Sequence, residues 1–201
     1  MPLLRTNDTV RVSNVRSLQI TPDYRPPETY QGDVAKRVNP HLDEYTHVII
    51  VDKDMEVPDD FFHLPERYPD AEIITPKVIP GTPIYRAWET LTYGIRLSRM
   101  RLRGSAVIYS TGFLRSVGGY PLAESPDTWL FKRAKKIVQV PMKAYHKENL
   151  SVRHSIQTQI RSGKARAEMN EPVSRVVAHS LFRLRPVVLI TYLLYRRRAR
   201  K

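Results

Sequence analysis

An α/β fold is the class this sequence predicts, and three observations predict it. The β-branched run His47-Val48-Ile49-Ile50-Val51 reads as a strand buried on both faces, and it breaks off into Asp52-Lys53-Asp54. Other short apolar runs alternate with stretches of helical spacing on either side of it. The composition, 41% apolar and 26% charged over 201 residues, supports one domain with a substantial core plus a tail, and excludes disorder throughout.

Taken in order, residues 10–15 and 18–20 carry Val, Leu and Ile and predict one or two strands. Residues 21–31 hold Pro22, Pro26 and Pro27 and read as a loop. A short helix is expected over 32–42, stopped near Asn39-Pro40. Beyond the 47–51 strand, residues 59–64 predict a helical turn and 71–75 a strand; 76–83, with three prolines and a glycine, predicts a loop. Ile84, Trp88, Leu91 and Ile95 recur at helical spacing and predict a helix over 84–101. Residues 106–109 read as a strand, 111–117 as a helix closed by Gly118-Gly119, 127–136 as a helix and 137–140 as a strand.

Charge divides the chain at about residue 150. From Ser151 onward there are 12 Lys/Arg against 2 Asp/Glu, whereas residues 1–150 carry 21 against 18. The expected organisation is a domain over 1–150 and a basic helical extension over 151–201. Such an extension attracts acidic lipid, nucleic acid or phosphate-bearing substrates, and charge alone does not choose among them. Residues 186–195 are apolar apart from Thr191 and lead into Arg196-Arg197-Arg198-Ala199-Arg200-Lys201. Ten residues are too few to cross a bilayer, which takes roughly 20. Either this segment lies in a membrane interface or it docks as a C-terminal helix on the domain. Met1–Arg5 turns polar before an apolar core forms, so a cytoplasmic location is expected, with peripheral contact at the cytoplasmic membrane face. The absence of cysteine excludes disulfides and thiolate metal sites.

Two carboxylates straight after a buried strand are costly to desolvate unless something positive joins them. A hard divalent cation is one answer, because Mg²⁺ and Mn²⁺ prefer oxygen ligands and share them with substrate phosphates. An aspartate pair satisfied by turn amides and Lys53 is the other. The stretch Tyr45 to Pro58, with its strand, D-x-D and following proline, resembles the metal-binding segment of family 2-like GT-A glycosyltransferases. Two more blocks are similar to that family in the same order. Gly104-Ser105-Ala106-Val107-Ile108-Tyr109-Ser110 precedes Phe113-Leu114-Arg115-Ser116-Val117-Gly118-Gly119-Tyr120, and Glu124-Ser125-Pro126-Asp127 stands where the family carries E-D. The resemblance covers about residues 30–165, and in its compactness the chain is similar to minimal enzymes of archaea and their viruses. Pro126 replaces the usual glutamate, and the base-binding N-terminal half is abbreviated.

The resemblance implies a GT-A fold, a Rossmann-like single mixed sheet flanked by helices. It implies transfer of a sugar from a UDP- or GDP-type donor to a hydroxyl of a glycan, lipid or protein, with inversion. Asp52 and Asp54 would hold Mn²⁺ or Mg²⁺, with His146 as a third ligand or diphosphate contact. Asp127 would be the general base, with Glu124 in reserve. Lys36, Arg37, Asp52, Lys53, Asp54 and Gly104 would line the donor site. Each has a plainer alternative: a helix cap for Asp127, a surface role for His146 (with His154 competing), and a solvated face for Lys36 and Arg37. Arg96, Arg99, Arg101 and Arg103 read as a surface stripe, and Trp88 and Trp129 as core. Two rival functions remain, a nucleic-acid-binding protein and an inactive GT-A-like binding protein. Against nucleic acid, the basic residues concentrate away from the acidic motif, and no recognition motif is present.

Overall fold

The computed structural model describes residues 9–12, 15–22, 29–81, 83, 86–87, 104–147, 152–182 and 185–198. The helix expected over 84–101, with Trp88, lies almost wholly outside them, as do Arg96, Arg99, Arg101, Arg103 and the side chain of His154. The chain is α/β, as expected, and divides into two compact units. One holds the sheet; the other comprises Thr82–Arg99, Ala123–Ser125 and Asn149–Lys201, with the C-terminal helices.

The sheet unit begins with β1 (Thr9–Val12) and β2 (Val15–Ile20), paired antiparallel with Thr9 opposite Leu18. Helix α1 (Tyr30–Val38) follows, two residues earlier than its expected start. The Thr29 side chain caps it by accepting from the Gly32 amide at 3.2 Å. It gives way to a 3-10 turn at Asn39–His41, where Pro40 removes a donor. Strand β3 (His47–Val51) then lies parallel to β2, with Ser17 opposite His47. On its other side it pairs antiparallel with β6 (Ala106–Ser110), Val51 opposite Ala106. Its alternation feeds two cores. Val48 and Ile50 pack with Val34, Val38 and Leu114, whereas Ile49 packs with Phe61, Leu64 and Ile74. Each such buried aliphatic side chain contributes about 1.5–3 kcal/mol, so the strand's position is fixed from both faces.

Strand β5 (Ile73–Ile79) pairs antiparallel with β6 and parallel with β7 (Ile137–His146). The two-residue β4 (Met55–Glu56), not anticipated from sequence, pairs with the end of β7 and completes the order β1-β2-β3-β6-β5-β7-β4. Two expectations need correction here. Both β5 and β7 continue through a proline, Pro76 and Pro141, where a loop and a strand end were expected. The pairing shifts between Thr75–Gln139 and Lys77–Lys143, and an irregularity of that kind tolerates a residue with no amide hydrogen.

Between these strands lie a 3-10 turn at Asp59–His63, α2 (Leu64–Arg67), α3 (Thr111–Ser116) and α4 (Pro126–Arg133). Ser110 caps α3 by accepting from the Phe113 amide at 3.1 Å. Gly118 and Gly119 end it at φ of 86° and 99°. Gly119 sits against the Asn39 side chain, whose Oδ1 accepts from the Tyr120 amide at 2.7 Å. Helix α4 stops three residues short of its expected end because the Lys135 and Lys136 amides turn to Glu72 Oε2.

The helical unit contains α5 (Val152–Glu168), α6 (Val173–Phe182) and α7 (Pro186–Arg198). A Cβ on Gly163 of α5 would lie 2.7 Å from both the Val188 carbonyl oxygen and the Thr191 Cβ, so α7 approaches there because glycine leaves room. Ala167, Val176, Val188 and Tyr192 form the local core. A buried ion pair, Arg166–Glu171, lies with them, and Arg166 Nη2 is 3.2 Å from His179 Nδ1. Among the described residues no helix is long and apolar enough to cross a membrane.

Candidate active site

The carboxyl end of β3 is held in place by backbone bonds from three directions. The Asp52 amide donates to the Ser105 carbonyl at 2.9 Å, tying the strand end to the residue before β6. The Met55 amide donates to the Asp52 carbonyl at 3.0 Å and closes the turn that carries Lys53 and Asp54. The Lys147 amide donates to the Asp54 carbonyl at 2.7 Å, and β4 sets Met55 opposite His146. In this way a strand end near residue 50 meets one near residue 146.

The side chains follow. His146 Nδ1 lies 3.0 Å from Asp54 Oδ2, and its Nε2 lies 3.4 Å from Ser105 Oγ. Asp52 bonds the Tyr30 hydroxyl from the first residue of α1, yet its Oδ1 is buried with no hydrogen-bond partner. Burial, then the nearby Asp127 and Asp54 charges, push the Asp52 carboxyl up to about 8. Asp127, in the first turn of α4, accepts from the Tyr109 hydroxyl at 3.0 Å. Burial raises its carboxyl to about 6, against the hydrogen bond from Tyr109, which lowers it. Gly104 is the seat for this carboxylate: a Cβ there would stand 1.7 Å from Asp127 Oδ2. Tyr109 and Tyr120 meet edge to face at 6.2 Å, and burial holds both phenols protonated far above the usual tyrosine range.

A cleft of about 240 Å³ opens beside Asp52 and Lys53, lined also by Gln19, Thr21, Asp59 and Lys147 among others; Asp54, Asp127 and His146 are not on its wall. It sits at the carboxyl ends of β2 and β3, the parallel pair joined through α1, where α/β sheets commonly bind ligands.

No protein-family model and no curated protein matches this chain.

The structure brings together Asp52, Asp54, Gly104, Asp127 and His146 from four separate sequence blocks, with Lys53 on the cleft wall. Others lie elsewhere. Lys36 is exposed on α1, and Arg37 spans to the Thr21 carbonyl at 3.0 Å and to Asp33 at 3.4 Å. Glu124 belongs to the helical unit, where Lys164 stands 3.5 Å away. Trp129 packs on the core with the Arg133 guanidinium 3.4 Å over its ring, as expected of a core residue. Sequence reasoning missed Tyr30, Tyr109, Ser105 and Lys147. Tyr109 and Ser105 lay within a family-like block, but nothing in the sequence marked Tyr30 or Lys147.

Among the described residues no group of three or more His, Asp or Glu side chains forms a ready cation cage. Asp52 and Asp54 nonetheless suit a hard cation, which is commonly held by one or two carboxylates and completed by water and substrate phosphate. The unpartnered Asp52 Oδ1 is a donor atom of that kind. Ser105, His146 and Asp54 also stand in the order of a Ser–His–Asp relay. The Asp127 carboxylate against Gly104, next to Ser105, argues against that reading, because it would repel a developing oxyanion.

Proposed function

We propose that this chain is a GT-A-type glycosyltransferase that moves a sugar from a nucleoside-diphosphate donor to an acceptor hydroxyl with inversion. One observation carries the reading. Three carboxylates from two distant parts of the sequence, Asp52 and Asp54 after β3 and Asp127 on α4, come close together, and Asp52, on the wall of a cleft, has a buried oxygen without a partner. Like charges so placed destabilise the fold, which is reasonable where a cation and a ligand are to be bound.

Asp52 and Asp54 would hold Mn²⁺ or Mg²⁺, whose chemistry when bound is to neutralise charge on the departing nucleoside diphosphate. Every other role belongs to the chain. His146, with Nδ1 on Asp54 Oδ2 and Nε2 3.4 Å from Ser105 Oγ, would orient the Asp54 carboxylate toward the cation, and would reach the cation or diphosphate itself only by giving up one of these partners. Lys53 and Lys147 on the cleft wall supply further positive charge. Asp127 takes the proton from the acceptor hydroxyl as its oxygen bonds to the anomeric carbon and the bond from that carbon to the phosphate oxygen breaks. A carboxyl near 6 is ionised at neutral pH and still basic enough for that task. The Tyr109 hydroxyl fixes Oδ1, and Gly104 lets the group sit where it does. Pro126 in place of the family glutamate opens α4, a position where its missing amide hydrogen costs nothing.

The test is donor hydrolysis, read as release of nucleoside diphosphate with Mn²⁺ present, in wild type and Asp127→Asn. The variant is expected to bind donor as wild type does and to turn over about 10²–10⁴-fold more slowly. ¹H NMR of the released sugar before mutarotation should show the inverted anomer. A retained anomer, or an unimpaired variant, would remove Asp127 from the role of base.

A further inference from the structure

Helix α7 is covered on one side only. Val188, Thr191 and Tyr192 are buried, and Val188 and Tyr192 sit in the core with Ala167 and Val176. On the other side Ile190 is 57% exposed, Leu193 42% and Leu194 57%. Pro186 and Arg197 are exposed as well. Positions 186, 190, 193, 194 and 197 recur every three to four residues, so they form one stripe along the outer face. The stripe is aliphatic for its first turns and cationic at its end. A helix wetted on this side ordinarily carries polar residues there.

Three occupants compete for the stripe, and charge separates them. A second copy would press one C-terminal segment, residues 151–201 with 12 Lys/Arg against 2 Asp/Glu, onto another of the same sign. Nucleic acid would satisfy the arginines but leave Ile190, Leu193 and Leu194 in water. An anionic bilayer satisfies both ends, with aliphatics at the acyl boundary and guanidinium groups at the phosphates. We propose that the outer face of α7 docks in the plane of an anionic lipid surface, with Ile190, Leu193 and Leu194 inserted and the following arginines on head groups. The helix lies flat. Its 13 residues reach roughly 20 Å, short of the roughly 30 Å hydrocarbon core. This does not depend on the transferase reading, since no residue of the acidic site takes part.

The full chain is mixed with phosphatidylcholine vesicles, with and without phosphatidylglycerol, and the pelleted fraction is measured. Expected is binding to the anionic vesicles, about tenfold or more weaker on neutral vesicles or in high salt. The double substitution Leu193→Asn with Leu194→Asn, at exposed positions, should lower partitioning at least about tenfold. Circular dichroism and Tm should remain those of wild type. Ile190→Asn provides an independent variant should the double one misfold. Wild-type binding in these variants would overturn the proposal. So would no vesicle binding by wild type, a dimer that the variants make monomeric, or salt-sensitive DNA binding in a chain that ignores vesicles.

Discussion

In the sheet unit the decisive charges are negative, part-buried and crowded, whereas in the helical unit they are positive, and the buried one is paired. Burial, and then the nearby Asp127 charge, raise the proton affinity of Asp52 at the end of β3, burial raises that of Asp127, and Asp52 Oδ1 has no partner. Arg166, although its Nε is also buried without a partner, has the opposite charge of Glu171 against it, and Lys164 has Glu124. A pairing of the second kind needs only the fold to explain it. Crowding of the first kind costs the fold stability, and that cost is what the proposed cation and donor would account for.

Two predictions sharpen that contrast. The larger effect is expected in the helical unit. Gly163→Ala sets a methyl 2.7 Å from the Val188 carbonyl and should destabilise that unit by about 2 kcal/mol. Donor binding at the sheet edge should survive, as read by thermal melting alongside titration. Loss of both together would mean that the acidic edge depends on the α5–α7 packing.

A smaller effect is expected with pH. Both Asp127, near 6, and Asp52, near 8, lie above a free carboxyl at about 4. The native state therefore keeps protons that the unfolded chain has already released. Stability from these groups is full below about pH 4 and is lost as pH rises, first through 6 and then through 8. The metal-free Tm should fall across that window. Asp52→Asn should recover about 1–2 kcal/mol at pH 8. A Tm flat from pH 5 to 9 would mean that these carboxylates are not crowded in solution.

Legibility followed the range of the interactions. The β3 strand and its carboxylates were readable because a β-branched run and the residues that end it are contiguous. The N-cap of α3 and its glycine stop were readable for the same reason. The fit of Gly104 under Asp127 was not, because it joins positions 23 residues apart through the placing of β6 and α4. Tyr30 was invisible as a partner of Asp52, since a tyrosine opening a helix carries no mark of what it faces. The strands through Pro76 and Pro141 were missed because proline ordinarily ends a strand, and only the pairing shift shows how it is accommodated. In α7 the apolar run was evident, but with aliphatics on both sides its pattern could not say which side is covered.

The most direct test of the central claim is calorimetric titration with UDP-, GDP- and dTDP-sugars, with and without Mn²⁺, on wild type and Asp54→Ala. The account predicts that one donor class binds wild type only with the cation present, and that Asp54→Ala abolishes this binding while remaining folded. Binding of no donor by wild type, or equal binding by the variant without the cation, would contradict it.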